Sequence, residues 1–390
     1  MSNKDLKPIL FVTTTLGTGG AERMMLKILQ RLDRRIFKPT VVSLLDEGTV
    51  GQQIQAMGIP VISLRMDRLH RILAAPFLLA RLIRSNRYAL LQGWMYHGNL
   101  LAWMGRALAG SKAPLSFGIR QSLYGLDRER FNTRWVIRVN AFLSGGVQGC
   151  IFNSRFSLDT HRRFGFKCKN MLVIPNGFDL EAFAPRSQVG AAMRVELGLD
   201  ESPVVGMIAR FHPVKGHRDF LQAAAIVSRQ MPRTKFVLAG PGVHGGNAQL
   251  MSWVRELGLA DAIVLLGERS DIAVLNNVFD IACLSSLAEA FPNAVGESMA
   301  CGVPCVVTDV GDCAEIVGET GQIARAGDPE SLASGMVKLL ELGQSQRELL
   351  GGAARTRIMK QFNMDVVGQQ YEQYFLSLCR IPEPIRGTSL

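Results

Sequence analysis

The chain has 390 residues, 47% of them apolar and 20% charged, with 44 Lys plus Arg against 33 Asp plus Glu for a net charge of +11. That length suits two domains of about 190 residues, each with its own core, and the apolar content is ordinary for a globular protein. A spanning helix is excluded, since the longest apolar run, Ile72 to Ala80, contains Pro76 and is nine residues long, far short of the roughly 20 a bilayer needs.

Ile9 to Thr15 reads as a buried strand, Leu16-Gly17-Thr18-Gly19-Gly20 as a glycine-rich turn, and Ala21 to Leu32 as an amphipathic helix. The apolar run at 9–12 is too short for a secretory signal and ends in threonines. Glycines let backbone approach a ligand closely, so Gly17, Gly19 and Gly20 are candidate ligand contacts. The loop misses the dinucleotide fingerprint, because Arg23 stands where a third Gly or Ala is required.

Further strands are expected near 40–45, 60–63, 88–92, 114–119, 148–153 and 171–174, with helices between them. His97, in Gly93-Trp94-Met95-Tyr96-His97, follows one of these strands and opens a helix, where a structural and a functional role both stand open. Arg120 follows another. Pro175-Asn176-Gly177-Phe178-Asp179 reads as the linker between a first domain, 1–175, and a second, 176–365.

The second half repeats the alternation, with strands near 203–209, 234–239, 262–266, 279–284, 304–307 and 321–324. Two parallel, helix-covered sheets follow. After the strand 203–209 come Arg210 and Lys215, two cations on one strand-to-helix loop, the end of a parallel sheet where ligands bind. Arg grips phosphate in a fork and Lys adds a point charge. Glu289 and Glu297 stand eight residues apart, with Phe291-Pro292-Asn293-Ala294 between them. Pro292 at a first helical position and Gly302 beyond the end mark a helix over about 292–301. Its N-terminus, with unpaired amides and about half a positive charge, suits a diphosphate. The two carboxylates then suit two sets of sugar hydroxyls.

Together the Glu289 and Glu297 pair, Arg210 with Lys215, the Gly17–Gly20 loop and the 175–179 linker resemble the retaining glycosyltransferases of family 4. The resemblance covers nearly the whole chain and is strongest over about 170–320. It implies the GT-B fold, an α/β arrangement of two Rossmann-like parallel-sheet domains facing across a cleft, with a last helix over about 366–390 crossing back onto the acceptor-side first domain. It implies transfer of a hexose-type sugar from a nucleoside-diphosphate sugar, UDP-linked by expectation, to a carbohydrate or lipid-linked acceptor in surface polysaccharide, lipopolysaccharide or glycolipid assembly. Arg210 and Lys215 would hold the diphosphate, Glu297 the ribose and Glu289 the transferred sugar, with the backbone of Phe291 to Ala294 completing the sugar site. Arg210, Lys215 and Glu289 are the catalytic candidates, with neither metal nor cofactor required. Glu289 suits hydroxyl binding better than covalent attack. The family's usual first-domain His has no match after strand 114–119, leaving His97 and Arg120 as acceptor-side candidates. Gly311-Asp312 stands where the family carries paired glycines. A sugar-nucleotide hydrolase or epimerase of the same fold, and a dinucleotide-binding oxidoreductase, are the alternatives.

Seven cysteines without a CxxC pair read as reduced, mostly buried thiols of a cytoplasmic protein. Charge is uneven: residues 1–175 carry 26 Lys plus Arg against 9 Asp plus Glu, and the remainder 18 against 24. Cations interleave with aliphatics over 67–73, 80–87 and from Arg128 to Arg138. Such segments lie on anionic lipid, each cation contributing about 1 kcal/mol near that surface. An anionic membrane surface, met from the inner face of the plasma membrane, is therefore an expected partner. The acidic second half and the absence of an RNA- or DNA-reading pattern argue against nucleic acid.

Overall fold

The computed structural model describes residues 6–124, 131–199 and 201–379. The chain divides into two compact units, one running to Gly177 and resuming at Met364, the other Phe178–Asn363.

In the first unit seven strands form one sheet: β1 (Lys7–Thr13), β2 (Phe37–Ser43), β3 (Val61–Ser63), β4 (Leu90–Trp94), β5 (Leu115–Ile119), β6 (Gly149–Phe152) and β7 (Met171–Val173). Their order is β3-β2-β1-β4-β5-β6-β7 and every neighbour is parallel. The chain thus starts at β1, works outward to β3, then returns to β4 and works outward the other way. Six helices follow the first six strands in turn: α1 (Gly20–Arg31), α2 (Gly48–Ala56), α3 (Leu69–Asn86), α4 (Met95–Ala109), α5 (Phe131–Leu143) and α6 (Arg155–Phe164).

In the second unit β8 (Val204–Ile208), β9 (Lys235–Ala239), β10 (Ile263–Leu265), β11 (Ile281–Leu284), β12 (Cys305–Thr308) and β13 (Gln322–Ala324) lie in the order β10-β9-β8-β11-β12-β13, again all parallel. Its helices are α7 (Ser187–Glu196), α8 (His217–Gln230), α9 (Ala248–Glu256), α10 (Ile272–Asn276), α11 (Asn293–Ala300), α12 (Cys313–Val317), α13 (Pro329–Glu341) and α14 (Gly343–Gln361). A last helix, α15 (Met364–Cys379), belongs to the first unit.

Every strand expected from the sequence is present, with ends shifted by up to three residues. The central strands read as unbroken apolar runs because helices cover both faces of each sheet. In the first unit α1, α2 and α15 cover one face, and α3 to α6 cover the other. In the second, α8, α9 and α13 face α10, α11, α12 and α14 across the sheet. The expected glutamate helix is α11, one residue shorter at each end than its sequence predicts. Pro292 is its N-cap rather than its first residue, with φ −80° and ψ 101°. Arg128 and the chain beyond Cys379 lie outside the described residues.

One expectation about the cysteines fails. Cys150 on β6 and Cys168, just before β7, are joined as a disulfide, whereas the other five are thiols. The two are 18 residues apart in sequence, and Cys150 pairs in register with Met171, so the approach to β7 brings Cys168 beside it.

Phe375 on α15 is fully buried and meets Phe11 and Phe37 edge-on, at ring distances of 5.8 and 6.2 Å. Phe375→Ala should destabilise the first unit by about 3–5 kcal/mol, read as a lowered denaturant midpoint; a loss below about 1 kcal/mol would mean that α15 contributes little.

His161 is buried between Tyr96, whose hydroxyl lies 2.6 Å from Nε2, and the Ser157 carbonyl, 2.7 Å from Nδ1. Burial lowers its pKa to about 4 from 6.5. The unfolded chain takes up this proton at higher pH than the folded one, so this contribution is complete above about pH 6.5 and is lost as pH falls towards 4, by about 3 kcal/mol in all. Denaturant melts across this range should show the slope in the wild type and a shallower one in His161→Phe.

Candidate active site

In the second sheet, β8 and β11 are neighbours, yet the chain leaves β8 towards β9 and leaves β11 towards β12. Loops that diverge in this way open a crevice at the carboxyl ends of the strands, the usual ligand position in an open α/β sheet. Arg210 and Lys215 follow β8; Glu289 and Glu297 follow β11. The fold therefore gathers at one sheet end the four charged side chains singled out in the sequence.

The β8 loop is fixed by its backbone. Ala209 N–H donates to the Ala239 carbonyl and Phe211 N–H to Pro241, which leaves Arg210 exposed between them. Pro213–Lys215 forms a 3-10 turn, capped by His212 Nδ1 accepting from Val214 N–H at 3.3 Å. Gly216 ends it at φ 64°, where an added Cβ would overlap the Ser285 carbonyl oxygen. The β11 loop is tied to this turn: Leu287 N–H donates to the Val214 carbonyl at 2.7 Å and Ser285 Oγ to that of Lys215 at 3.0 Å. Thr308 Oγ1 donates to the Ser286 carbonyl at 2.6 Å.

These ties place Glu289. Its Oε1 accepts from Lys215 Nζ at 2.5 Å and from Ser286 Oγ at 2.7 Å, and only 11% of its side chain is exposed. On the far side Asp312 N–H donates to the Ala290 carbonyl, and Gly311, at φ 57°, passes so close that a Cβ would press on the carbonyls of Glu289 and Ala290. That contact gives a physical reason for Gly at 311, while the Asp312 backbone anchors the loop.

Phe291 is a core residue, stacked on Phe178 at 6.1 Å and against Phe362 at 5.7 Å, so only its backbone is available to a ligand. Asn293 and Ala294 open α11 half-buried, and its N-cap is Pro292, which makes no side-chain hydrogen bond to it. Glu297 lies one turn further on, also half-buried. The sequence reading missed Ser286, Thr308 and Gly216, which orient Glu289 and the Lys215 turn. Of the three, only Gly216, directly after Lys215, carried a signal.

The first sheet has its own reversal, between β1 and β4. The Gly17–Gly20 loop follows β1 and His97 follows β4, so both flank it. Gly17 N–H donates to Thr15 Oγ1 at 3.3 Å, and Gly19 is the N-cap of α1, where a Cβ would overlap the Glu22 carboxylate. His97 is half-buried and its pKa lies below the usual histidine value, through burial. Just before it Met95 has φ 62°, backbone strain of about 1–3 kcal/mol for a residue with a side chain.

Arg120 sits elsewhere. It is 8% exposed, donates to Tyr371 Oη at 2.5 Å and to Asn176 Oδ1, and lies 5.2 Å from the Trp94 ring centroid. It joins β5 to α15 and to the linker, so of the two acceptor-side candidates His97 is the one at a strand end with surface to offer. Among the described residues no three His, Cys, Asp or Glu side chains gather as metal ligands.

Residues 202–342, from the start of β8 through α13, match the family described as glycosyl transferases group 1, and residues 18–182 match glycosyltransferase family 4. The segment 18–182 contains Gly19, Gly20 and His97; the segment 202–342 contains Arg210, Lys215, Glu289 and Glu297. N-acetyl-alpha-D-glucosaminyl L-malate synthase of Bacillus anthracis is 29% identical over 215 residues, 54% of this chain and 55% of that protein, so the chain spans about half the length of this relative. N,N'-diacetylbacillosaminyl-diphospho-undecaprenol alpha-1,3-N-acetylgalactosaminyltransferase of Campylobacter jejuni is 26% identical over 359 residues, 88% of this chain and 92% of that one. The crystal structure of Anabaena HepE in complex with UDP is similar at a TM-score of 0.82 and 23% identity, covering 95% of this chain and 100% of that one. The fold is GT-B.

Gly216→Ala combines an unfavourable left-handed φ with a clash on the Ser285 carbonyl, so it should lower stability by at least about 1–2 kcal/mol. Unchanged melting would show that the two loops are not coupled as described.

Proposed function

We propose that this protein is a retaining glycosyltransferase. It moves a hexose-type sugar from a UDP-linked donor to a lipid-linked or carbohydrate acceptor in surface polysaccharide, lipopolysaccharide or glycolipid assembly, at the cytoplasmic face of the membrane and without nucleic acid as a partner. One observation carries the reading: two cations and two carboxylates follow the two strands of the β8/β11 reversal, at the end of the sheet where α11 starts, and Lys215 pairs there with Glu289. Support for the donor comes from HepE, crystallised with UDP. Support for a lipid-linked acceptor comes from the Campylobacter relative, named for a diphospho-undecaprenol-linked sugar.

As the glycosidic bond to the diphosphate breaks, negative charge grows on the leaving phosphate. Arg210, Lys215 and the first-turn amides of α11 supply fixed positive potential there, the form of stabilisation that accelerates such steps most. A metal ion is then not needed for charge neutralisation, nor is a cofactor. Glu289, already accepting from an ammonium and a hydroxyl, is an acceptor for a hydroxyl of the transferred sugar. Glu297 accepts from the ribose. Gly17, Gly19 and Gly20 let the first unit's backbone approach the donor, and His97 is the acceptor-side residue.

Glu289→Ala, Lys215→Ala and Arg210→Ala should each lower kcat by about a hundredfold or more, with UDP affinity falling for the two cation variants and little changed for Glu289→Ala. The assay follows UDP release from a panel of UDP-sugars, with and without lipid extract, and with chelator. Near-normal turnover by a variant removes that residue's role; release that ignores the acceptor favours hydrolysis over transfer; abolition by chelator overturns the metal-free mechanism.

A further inference from the structure

We propose that α3 and α5 form a docking face for an anionic lipid bilayer, with aromatic side chains entering the interface between them and the headgroups. Among the described residues, the exposed aromatic side chains are Phe77, Tyr124, Phe131, Trp135 and Phe142, all on α3, α5 or the segment between α4 and α5. None is in the second unit. Phe131, Trp135, Arg138 and Phe142 recur at helical spacing down one side of α5, and Phe142 is 87% exposed. Leu73, Phe77, Arg81 and Arg84 do the same on α3. Both helices flank α4 on the sheet face opposite α15. Rings left in water in this concentration mark an interaction surface rather than ordinary exposure.

The charge on the face selects the occupant. From Arg68 to Leu126 the sequence has no Asp or Glu, and α5 has none either. Arg71, Arg81, Arg84 and Arg138 are exposed among the apolar side chains. A helix face of aromatic and aliphatic residues bordered by cations is the pattern of a segment lying in the plane of an anionic interface. A second copy of this chain fits poorly, since the two helices themselves carry no carboxylate and would set arginine against arginine. No described helix is long and apolar enough to cross a membrane, so the contact is peripheral. The inference rests on the proposed lipid-linked acceptor for its purpose, but its physical content is separable from turnover.

Full-length protein would be sedimented with vesicles of phosphatidylcholine alone and of phosphatidylcholine with phosphatidylglycerol, at low and high salt. Binding is expected only with phosphatidylglycerol, weakening with salt, together with a blue shift in tryptophan emission that is absent in Trp135→Phe. Phe131→Ser/Phe142→Ser and Leu73→Ser/Phe77→Ser should each weaken partitioning by about tenfold or more, while melting temperature and UDP affinity stay at wild-type values. The proposal is overturned if the wild type does not bind the anionic vesicles, if both double variants bind as well as it does, or if these residues instead disperse a dimer in sedimentation velocity. Vesicle binding without sugar transfer would reject the enzymatic reading alone, and transfer to a water-soluble acceptor without vesicle binding would reject this one alone.

Discussion

The reversal of chain direction between β8 and β11 is the constraint on which the candidate site depends. Parallel strands buried on both faces leave no room for charge along their length, so charged groups collect at the strand ends. At the reversal two loops diverge and leave a crevice. Here the loops are held by main-chain hydrogen bonds from Leu287 to Val214 and from Asp312 to Ala290. The Lys215–Glu289 ion pair adds little to stability by comparison, since partly exposed pairs contribute about 1 kcal/mol or less. Its value lies in position: the backbone on both sides is set before either charge is used, which is what a site that stabilises developing charge requires.

Glycines make that packing feasible. Gly216 and Gly311 both adopt left-handed φ, and both lie where a Cβ would strike the carbonyls of the β11 loop. One comes from the β8 side and the other from the β12 side, so the loop bearing Glu289 is enclosed between two backbones that approach without side chains. A Cβ at either position would press on the loop that carries Glu289, so residues with no chemistry of their own bear on where that carboxylate stands.

Much of this was legible in the sequence, for a physical reason. Strands of a parallel sheet are continuous apolar runs, and the residues that follow them are placed at the carboxyl end by topology, so the positions of Arg210, Lys215, Glu289 and His97 after their strands are legible along the chain. What could not be read was any contact made by distant segments. Arg120 follows its strand as the other candidates do, but Tyr371 on α15 and Asn176 in the linker close over it. The Cys150–Cys168 contact was missed in the same way, since sequence spacing does not report which residues a crossover brings side by side. Phe291 lies in the motif but packs inward on Phe178 and Phe362.

The positive charge of the first 175 residues is consequently divided between two physical roles. Arg120 is interior, and among the described residues no carboxylate pairs with it; a hydroxyl, an amide oxygen and the face of Trp94 share its charge, the last an attraction that strengthens when water is excluded. Burying a cation in this way is worthwhile only where its several donors fix several elements at once, and Arg120 fixes β5, α15 and the linker. Arg71, Arg81 and Arg138 of α3 and α5 stand instead at the surface among exposed rings, where neither solubility nor packing accounts for the aromatic side chains beside them. Charge that is structural is enclosed among several elements, and charge that is left beside apolar surface points to a partner outside the chain.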